Sequence, residues 1–445
     1  MLLMTVALTA CQSIQGQLQM LHAQGRYADA RHLLEDPRTR DEVYGTRDAV
    51  LWRLETASAN MACGDYQRAV GLLDDAETYT AYNYDRTGGE ALAQWALNDS
   101  AAAYAAQPYE DLYVNVLKQI CFLHLGDLNN AAAESRRMLD KSKSLGGFMQ
   151  EHLRRAESGD TSGVVRDATN RFRSARARGN DYITSPLGAY LAALVAAKNG
   201  NPAGQDEAAT RLRQAIGEQQ RFIGSINPGA FDTVGSISPD SFDVIAIGFS
   251  GRGPVKESRQ VDAPLAAGQR TEIPFPMIRR GLSSRVTGAW IEFASGPSEP
   301  GATAPAPPLD RHPLQLVEDL GAVVAENFAL TEPAIYARTI ARIAIKAGLV
   351  AGAAYGVHAS GKDDRWTALT VLAGLAYIAL TEHADLRSWV MLPGQAWVAA
   401  VKAPVGADRA RIVYSLPGGR EVSSEWRPIH VTSGAPATVV TYMPD

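Results

Sequence analysis

Glu382, His383 and Asp385 stand almost side by side, with Arg387, Ser388 and Trp389 following. An imidazole between carboxylates can shuttle a proton, and the same set can hold a cation. Consecutive residues rarely converge on one ion, and no second ligand group with matching spacing occurs elsewhere. Neither a metal ion nor a cofactor is therefore expected, and no residue is assigned a catalytic role. The favoured reading is mechanical: Asp385 and Arg387 form ion pairs or caps that lock a helical hairpin to the strand after it, with Arg338 and Arg342 as partners. A hydrolase using Glu382, His383 and Asp385 is the lesser alternative. Glycine-rich Gly248-Phe249-Ser250-Gly251-Arg252-Gly253 falls between two strand-like segments, with no helix to receive a phosphate, and a Gly-x-Ser-x-Gly elbow is absent.

The elements that must hold these residues divide by composition. The chain has 445 residues, 46 % hydrophobic and 20 % charged, which suits a folded body of two or three domains. Its net charge of −5 leaves no basic footprint, so nucleic acid is not an expected partner. Residues 11–224 are rich in Ala, Leu, Arg and Glu with helical periodicity; residues 225–445 turn to Val, Ile, Pro and Gly in strand-like runs. The breaker cluster Gly224-Ser225-Ile226-Asn227-Pro228-Gly229 marks the change. The class expected is a multidomain α+β protein: helical hairpins, then a β-rich, sandwich-like domain with a helical insertion over about 314–383.

Within the helical half a phrase recurs: Gly25-Arg26-Tyr27 with Ala30, Gly64-Asp65-Tyr66 with Ala69, and Gly126-Asp127-Leu128 with Ala131. A looser copy surrounds Gly200-Asn201-Pro202, with Ala193 before it and Ala208 after. The phrase resembles the turn of a tetratricopeptide repeat, in which Gly ends one helix, Asp caps the next and Ala permits close helix contact. Ala57, Leu73 and Ala76 complete the second copy. Such hairpins stack and leave a concave surface suited to protein partners. The tyrosines Tyr79, Tyr82, Tyr84, Tyr104, Tyr109 and Tyr113 suit either recognition or packing between helices.

In the second half, Phe242 to Phe249 and Val255 to Val261 read as a hairpin around Gly251-Arg252-Gly253. Further strands are expected at Thr271 to Met277, Val286 to Ala294, Gln395 to Val401, Arg411 to Ser415, Val422 to Val431 and Thr438 to Tyr442. Gly296 to Pro313 reads as a linker. Leu314 to Phe328, Ala334 to His358 and Trp366 to Thr381 read as helices. Gly348, Gly352 and Gly356 recur at four-residue spacing, which predicts a tight helical hairpin buried against the sheet, or else contact with a membrane or another copy.

Met1 to Cys11, MLLMTVALTAC, is an apolar run ending in Leu8-Thr9-Ala10-Cys11. It resembles the lipobox of bacterial lipoprotein signal peptides, although no Lys or Arg precedes it. The resemblance implies that residues 1–10 are a signal peptide and that lipid is carried on Cys11. With Gln12 and Ser13 next, and no Asp at the second mature position, the implied address is the outer membrane, facing the periplasm. Cys63 and Cys121 have no zinc spacing and read as buried thiols or as one bridge.

Tyr109-Glu110-Asp111, Leu123-His124-Leu125-Gly126-Asp127, Ser185-Pro186 through Leu194, Gly253-Pro254-Val255-Lys256-Glu257, and Ala384-Asp385-Leu386-Arg387-Ser388-Trp389 before Leu392-Pro393 resemble motifs of a poorly characterised family of bacterial envelope lipoproteins. The chain departs from that pattern at Leu386 and in the length of its Pro/Ala linker. The resemblance implies a role in envelope assembly. The lipobox and the repeat turns, with no catalytic constellation beside them, read as a non-enzymatic, outer-membrane-anchored adaptor or scaffold that binds envelope proteins, among them other outer-membrane lipoproteins. The candidate contact residues are Tyr82, Tyr84, Tyr109, Tyr113, Arg252, Lys256, Asp385, Arg387 and Trp389. A self-assembling component of an export or pore complex is the second reading.

Overall fold

A computed structural model describes residues 14–85, 103–104, 106–158, 184–220, 223, 225–264, 270–278, 284–295, 310–360, 364–381, 383–430 and 434–444. The expected signal peptide, Cys11, Glu382 and most of the expected linker lie outside the described residues, as do the side chains of Tyr82, Tyr84 and Arg338.

The helical half runs α1 (14–23), α2 (Tyr27–Glu35), α3 (Ala49–Ala62), α4 (Tyr66–Asp85), α5 (Pro108–His124), α6 (Leu128–Ser158), α7 (Pro186–Lys198) and α8 (Pro202–Gln219). From α2 onward each helix packs on the next in chain order. Four of the turns share one construction. In the third, Gly126 takes φ 74° and donates its N–H to Leu123 O at 3.1 Å, while Asp127 N reaches Phe122 O at 2.8 Å. This closes the helix with a left-handed residue, which glycine adopts without a Cβ penalty. Asp127 then caps the next helix, its Oδ1 accepting from Asn130 N at 3.0 Å. Gly25, Gly64 and Gly200 repeat the closure, and Asp65 and Asn201 repeat the cap on the N–H groups of Arg68 and Gly204. Ala30, Ala69, Ala131 and Ala208 are buried beneath these turns, as are Ala57, Leu73 and Ala76.

The second half holds β1 (Val244–Arg252), β2 (Lys256–Pro264), β3 (Arg270–Ile278), β4 (Gly288–Ala294), β5 (Asp310–Asp319), α9 (Leu320–Ala359), α10 (Asp364–Thr381), β6 (Pro393–Val401), β7 (Arg409–Ser415), β8 (Glu421–Ser423), β9 (Arg427–Pro428) and β10 (Ala437–Met443). The main sheet has the order β10-β1-β6-β5-β4-β7-β8, with β9 beside β7. It is a single curled sheet, a half-barrel, where a sandwich was expected. The Tyr414 hydroxyl of β7 reaches Thr441 Oγ1 of β10 at 2.7 Å, and a Cβ on Gly248 of β1 would lie 3.0 Å from the same hydroxyl. The curl encloses its own interior, so no second sheet is needed to cover it. Val244 to Ser250 are all buried, which gives β1 the near-continuous apolar run of a strand covered on both faces.

Three expectations are corrected here. First, β1 does not form a hairpin with β2: it pairs with β10 in parallel and with β6 antiparallel, so both its edges are taken, and β2 pairs with β3 in a separate ribbon. Second, residues 314–319 are strand. Leu314 pairs with Ala289 of β4 and Leu316 with Trp397 of β6, and the Asp319 side chain then caps α9 by accepting from Ala322 N at 2.9 Å. Third, the two helices expected over 314–358 are one helix, α9, and the glycine strip does not face α10. A Cβ at Gly348, Gly352 or Gly356 would meet nothing within 4 Å; the close approach is at Gly374, where a Cβ would lie 2.3 Å from Val350.

One hydrophobic cluster runs from Leu18 in α1 through the helices to Val440 in β10. The composition shift near residue 225 is thus no break in packing. Cys63 and Cys121 are free thiols. No helix among the described residues is long and apolar enough to cross a membrane.

Candidate functional site: the 385–391 strap

Between α10 and β6 the chain crosses the helical half as an extended strap. The strap has no strand partner of its own, so its backbone groups must find side chains, because a buried unpaired amide costs about 1–3 kcal/mol. Buried carboxylates on the helices supply them. Glu110 of α5 accepts from Trp389 N at 2.9 Å. Glu55 of α3 takes the next two amides, Val390 N on Oε1 at 2.8 Å and Met391 N on Oε2 at 2.9 Å. Glu55 and Glu110 are fully buried.

The carbonyls are met from the other side. Lys256 Nζ donates to Arg387 O at 2.9 Å, Gln15 Nε2 to Ser388 O at 3.2 Å, and His22 Nδ1 lies 3.3 Å from Val390 O. Gly253 N donates to Leu392 O at 2.7 Å, an approach that a Cβ on Gly253 would block. The Trp389 ring is buried and donates its indole N–H to Ser58 Oγ at 2.9 Å.

Arg387 is the charged pin. Its Nη1 meets Asp48 at 2.6 Å, its Nε and Nη2 grip Asp385 at 2.8 and 2.7 Å, and its guanidinium lies 5.3 Å from the centre of the Tyr104 ring. Asp48 is itself held by Arg47 at 2.6 Å. Tyr104 donates to Glu110 Oε2 at 2.5 Å, and Gln107 N to the same atom at 2.7 Å.

Electrostatics agree with a sealed seam. Burial pushes Glu55 up to about 8 against the pull of its two amide donors, and the charge of Glu110 adds to the rise. Burial alone would raise Asp385 too, but Arg387, with Lys256 behind it, holds that carboxylate well below its ordinary value. Burial works against the Arg387 charge, and Asp385 and Asp48 more than offset it.

A second anchor lies further along the seam. Glu318 of β5 accepts from the Tyr113 hydroxyl, from Ser185 Oγ at 2.8 Å and from Leu187 N at 3.0 Å. Burial raises it to about 7, although all three donors oppose the rise. Gln219 of α8 donates to Val317 O at 3.0 Å and accepts from Asp319 N at 3.1 Å. His124 stacks on Tyr66 at 3.9 Å and its Nδ1 lies 3.1 Å from Thr438 O of β10.

Asp385 and Arg387, expected to form ion pairs or caps with Arg338 and Arg342 as partners, pair with each other, and Arg387 goes on to Asp48 in the helical half, 339 residues away in sequence. The structure places several of the expected contact residues inside the molecule. Tyr109, Tyr113, Lys256, Arg387 and Trp389 are buried at the seam with their polar atoms engaged inside the molecule, and Asp385 is spent on Arg387. Arg252 is half-buried, and its carbonyl would lie 2.7 Å from a Cβ on Gly394. His383 is exposed.

Sequence reasoning missed Asp48, Glu55 and Glu318. A signal existed for Glu55, an acidic residue in the middle of the buried face of α3. The motif segments singled out in the sequence, around Glu110, His124, Ser185, Lys256 and Asp385 to Trp389, all come together along this seam. Among the described residues no group of three or more His, Cys, Asp or Glu is placed to hold a metal ion.

The fold and the strap define a mixed α+β chain in which helical hairpins are pinned to a curled half-barrel through buried carboxylates. Compared with protein-family models, with curated proteins and with solved structures, the chain gives no match.

Proposed function

We propose that the chain is a non-enzymatic scaffold lipoprotein of the bacterial envelope. Lipid on Cys11 tethers it to the outer membrane on the periplasmic side, and its TPR-like helical half and half-barrel form one rigid body that binds an envelope protein. The observation that carries this reading is the strap. Asp385, one of the acid–base residues that invite a catalytic interpretation, is spent on Arg387, which pins the strap to Asp48 of the helical half. Two or more acyl chains, at about 0.8 kcal/mol per buried CH₂, hold such a body to a membrane without a spanning helix.

Mass spectrometry of the N-terminus from membrane fractions tests the tether. The expected product begins at Cys11 and carries the mass of attached acyl chains; an unmodified Cys11 on a soluble chain refutes it. The scaffold role is tested by crosslinking in intact cells followed by purification from membranes. A specific envelope protein is expected, and its capture must survive replacement of Glu382, His383 and Asp385 by Ala in so far as the chain still folds. Loss of a hydrolytic activity in the His383→Ala variant, whose exposed side chain has no part in the seam, would overturn the non-enzymatic reading.

A further inference from the structure

Two tyrosines of the recurring turn phrase, Tyr27 and Tyr66, are the first residues of α2 and α4. Both lie beside β10. The Tyr27 ring is 5.4 Å from that of Tyr442, and Tyr66 stacks on His124, whose Nδ1 meets Thr438 O. β10 is one lip of the half-barrel, and the other is built from β7, β8 and β9. Between the lips the Tyr414 hydroxyl of β7 bridges to Thr441 Oγ1 of β10.

Arg427 of β9 turns toward this opening. It stands opposite Ala410 of β7, and directly opposed residues of an antiparallel pair share a face. Residues two apart on a strand share a face too, so Arg427 lies on the side of Ile412 and Tyr414, the concave side. Its neighbour Trp426 takes the outer side, 4.5 Å from the Arg411 guanidinium. Arg427 is half-buried, and among the described residues no carboxylate pairs with it. Burial raises the phenols of Tyr66, Tyr414 and Tyr442 and lowers the His124 imidazole, and the charge of Arg427 is near enough to lower all four.

Donors gather here without acceptors. Tyr66 is 2 % exposed, and neither its hydroxyl nor Thr438 Oγ1 has a hydrogen-bond partner among the described residues. A buried hydroxyl left so costs about 1–3 kcal/mol. Arg427 adds a planar fork of N–H donors, which matches a carboxylate through two parallel bonds. One unpaired guanidinium balances one negative charge. The half-buried rings of Tyr27 and Tyr442 offer apolar walls beside it.

We propose that the open side of the half-barrel binds a carboxylate group, gripped by the Arg427 guanidinium with the Tyr66 hydroxyl as a further donor, while the Tyr27 and Tyr442 rings pack against the apolar body that carries it. A small aromatic acid and the C-terminus of a peptide share this chemistry. The inference goes beyond the scaffold reading and depends neither on the lipid nor on which envelope protein is bound.

The test is calorimetric titration of the full chain at pH 7 with four probes: 3-phenylpropionate, an acetylated tripeptide ending in phenylalanine as its free acid, the same tripeptide as its amide, and inorganic phosphate. At least one of the two acids is expected to bind, and the amide is not. Arg427→Gln should weaken that binding by about tenfold or more, the scale of hydrogen bonds to a charged group. Tyr66→Phe keeps the ring and breaks no hydrogen bond of the unliganded chain, so it should weaken binding while leaving the unliganded melting profile unchanged or raised. A peptide acid that binds more tightly than phenylpropionate assigns the carboxylate to a peptide terminus; equal or weaker binding assigns it to a small acid. The proposal is overturned if neither acid binds, if the amide or phosphate binds as well as the acids, or if Tyr66→Phe lowers stability or leaves binding untouched. Any of these results leaves the N-terminal mass and the crosslinked partner unaffected, so failure here is distinguishable from failure of the scaffold reading.

Discussion

Glu55→Gln separates the two forces acting on the strap. In the folded chain burial raises Glu55 from 4.5 to about 8. The folded state thus holds the Glu55 proton more tightly than the unfolded state does. The stabilisation this supplies is complete below pH 4.5 and is lost as pH rises through about 8. At 1.36 kcal/mol per pKa unit the loss is at most about 5 kcal/mol. Glutamine removes that pH dependence, but it can accept only one of the two amides now held by Glu55 and turns an NH₂ toward the other. One of Val390 N and Met391 N is left unpaired, at about 1–3 kcal/mol. The variant should therefore be the less stable protein at pH 5 by about that amount, and the gap should close or reverse by pH 9. Urea midpoints at fixed intervals from pH 5 to pH 9, followed by tryptophan emission and by circular dichroism, measure both curves. Parallel curves for the two proteins across that range would refute the reasoning, because they would mean that Glu55 does not titrate in the folded chain. Glu318, raised to about 7, adds a slope of the same sign to both proteins and cancels in the comparison.

Two further predictions concern single positions. Asp48→Ala takes from the buried Arg387 the carboxylate that ties it to the helical half and should cost about 3–5 kcal/mol in urea unfolding, with limited proteolysis cutting the strap faster than in the parent. Gly126→Ala forces a Cβ into a residue at φ 74° and should lower stability by about 1–2 kcal/mol, whereas Gly71→Ala, in the open middle of α4, should raise it by up to about 1 kcal/mol; equal effects in thermal melts would count against the turn assignment.

The helical hairpins were readable because their information is local. A glycine that closes a helix, an Asp or Asn that caps the next and an alanine beneath the turn lie within a few residues of one another, and each acts through its own backbone. Many strand positions were readable for the same reason, but Val422 to Val431 divides into β8 and β9, and the expected linker Gly296 to Pro313 runs into β5, which begins at Asp310. Strand partners were not. The run Phe242 to Phe249 is apolar throughout, which announces a central strand but says nothing of which two segments flank it. The stretch from Leu314 to Asp319 misled because a short apolar run fits a helix and a strand equally well, and only its pairing with β4 and β6 decides.

The site divides along the same line. By itself the sequence marked Asp385 and Arg387 as residues that form ion pairs or caps; that they grip each other follows from the extended strap, in which residues two apart share a side as they would not on a helix. It also marked the segments around Glu110, His124, Ser185 and Lys256 as distinctive. Tertiary structure alone decided that these segments share one seam, that Asp48 and Glu55 complete it, and that tyrosines suited to recognition are buried in it. The same holds for the glycine strip of α9, whose spacing is visible in the chain but whose outward direction is set by the rotation of α9 against α10 at Val350 and Gly374. The physical reason is common to all of these. Caps and turns are satisfied within a few residues, whereas a buried carboxylate or an extended strap must find its partners among groups hundreds of residues away, and only the packed core brings them within reach.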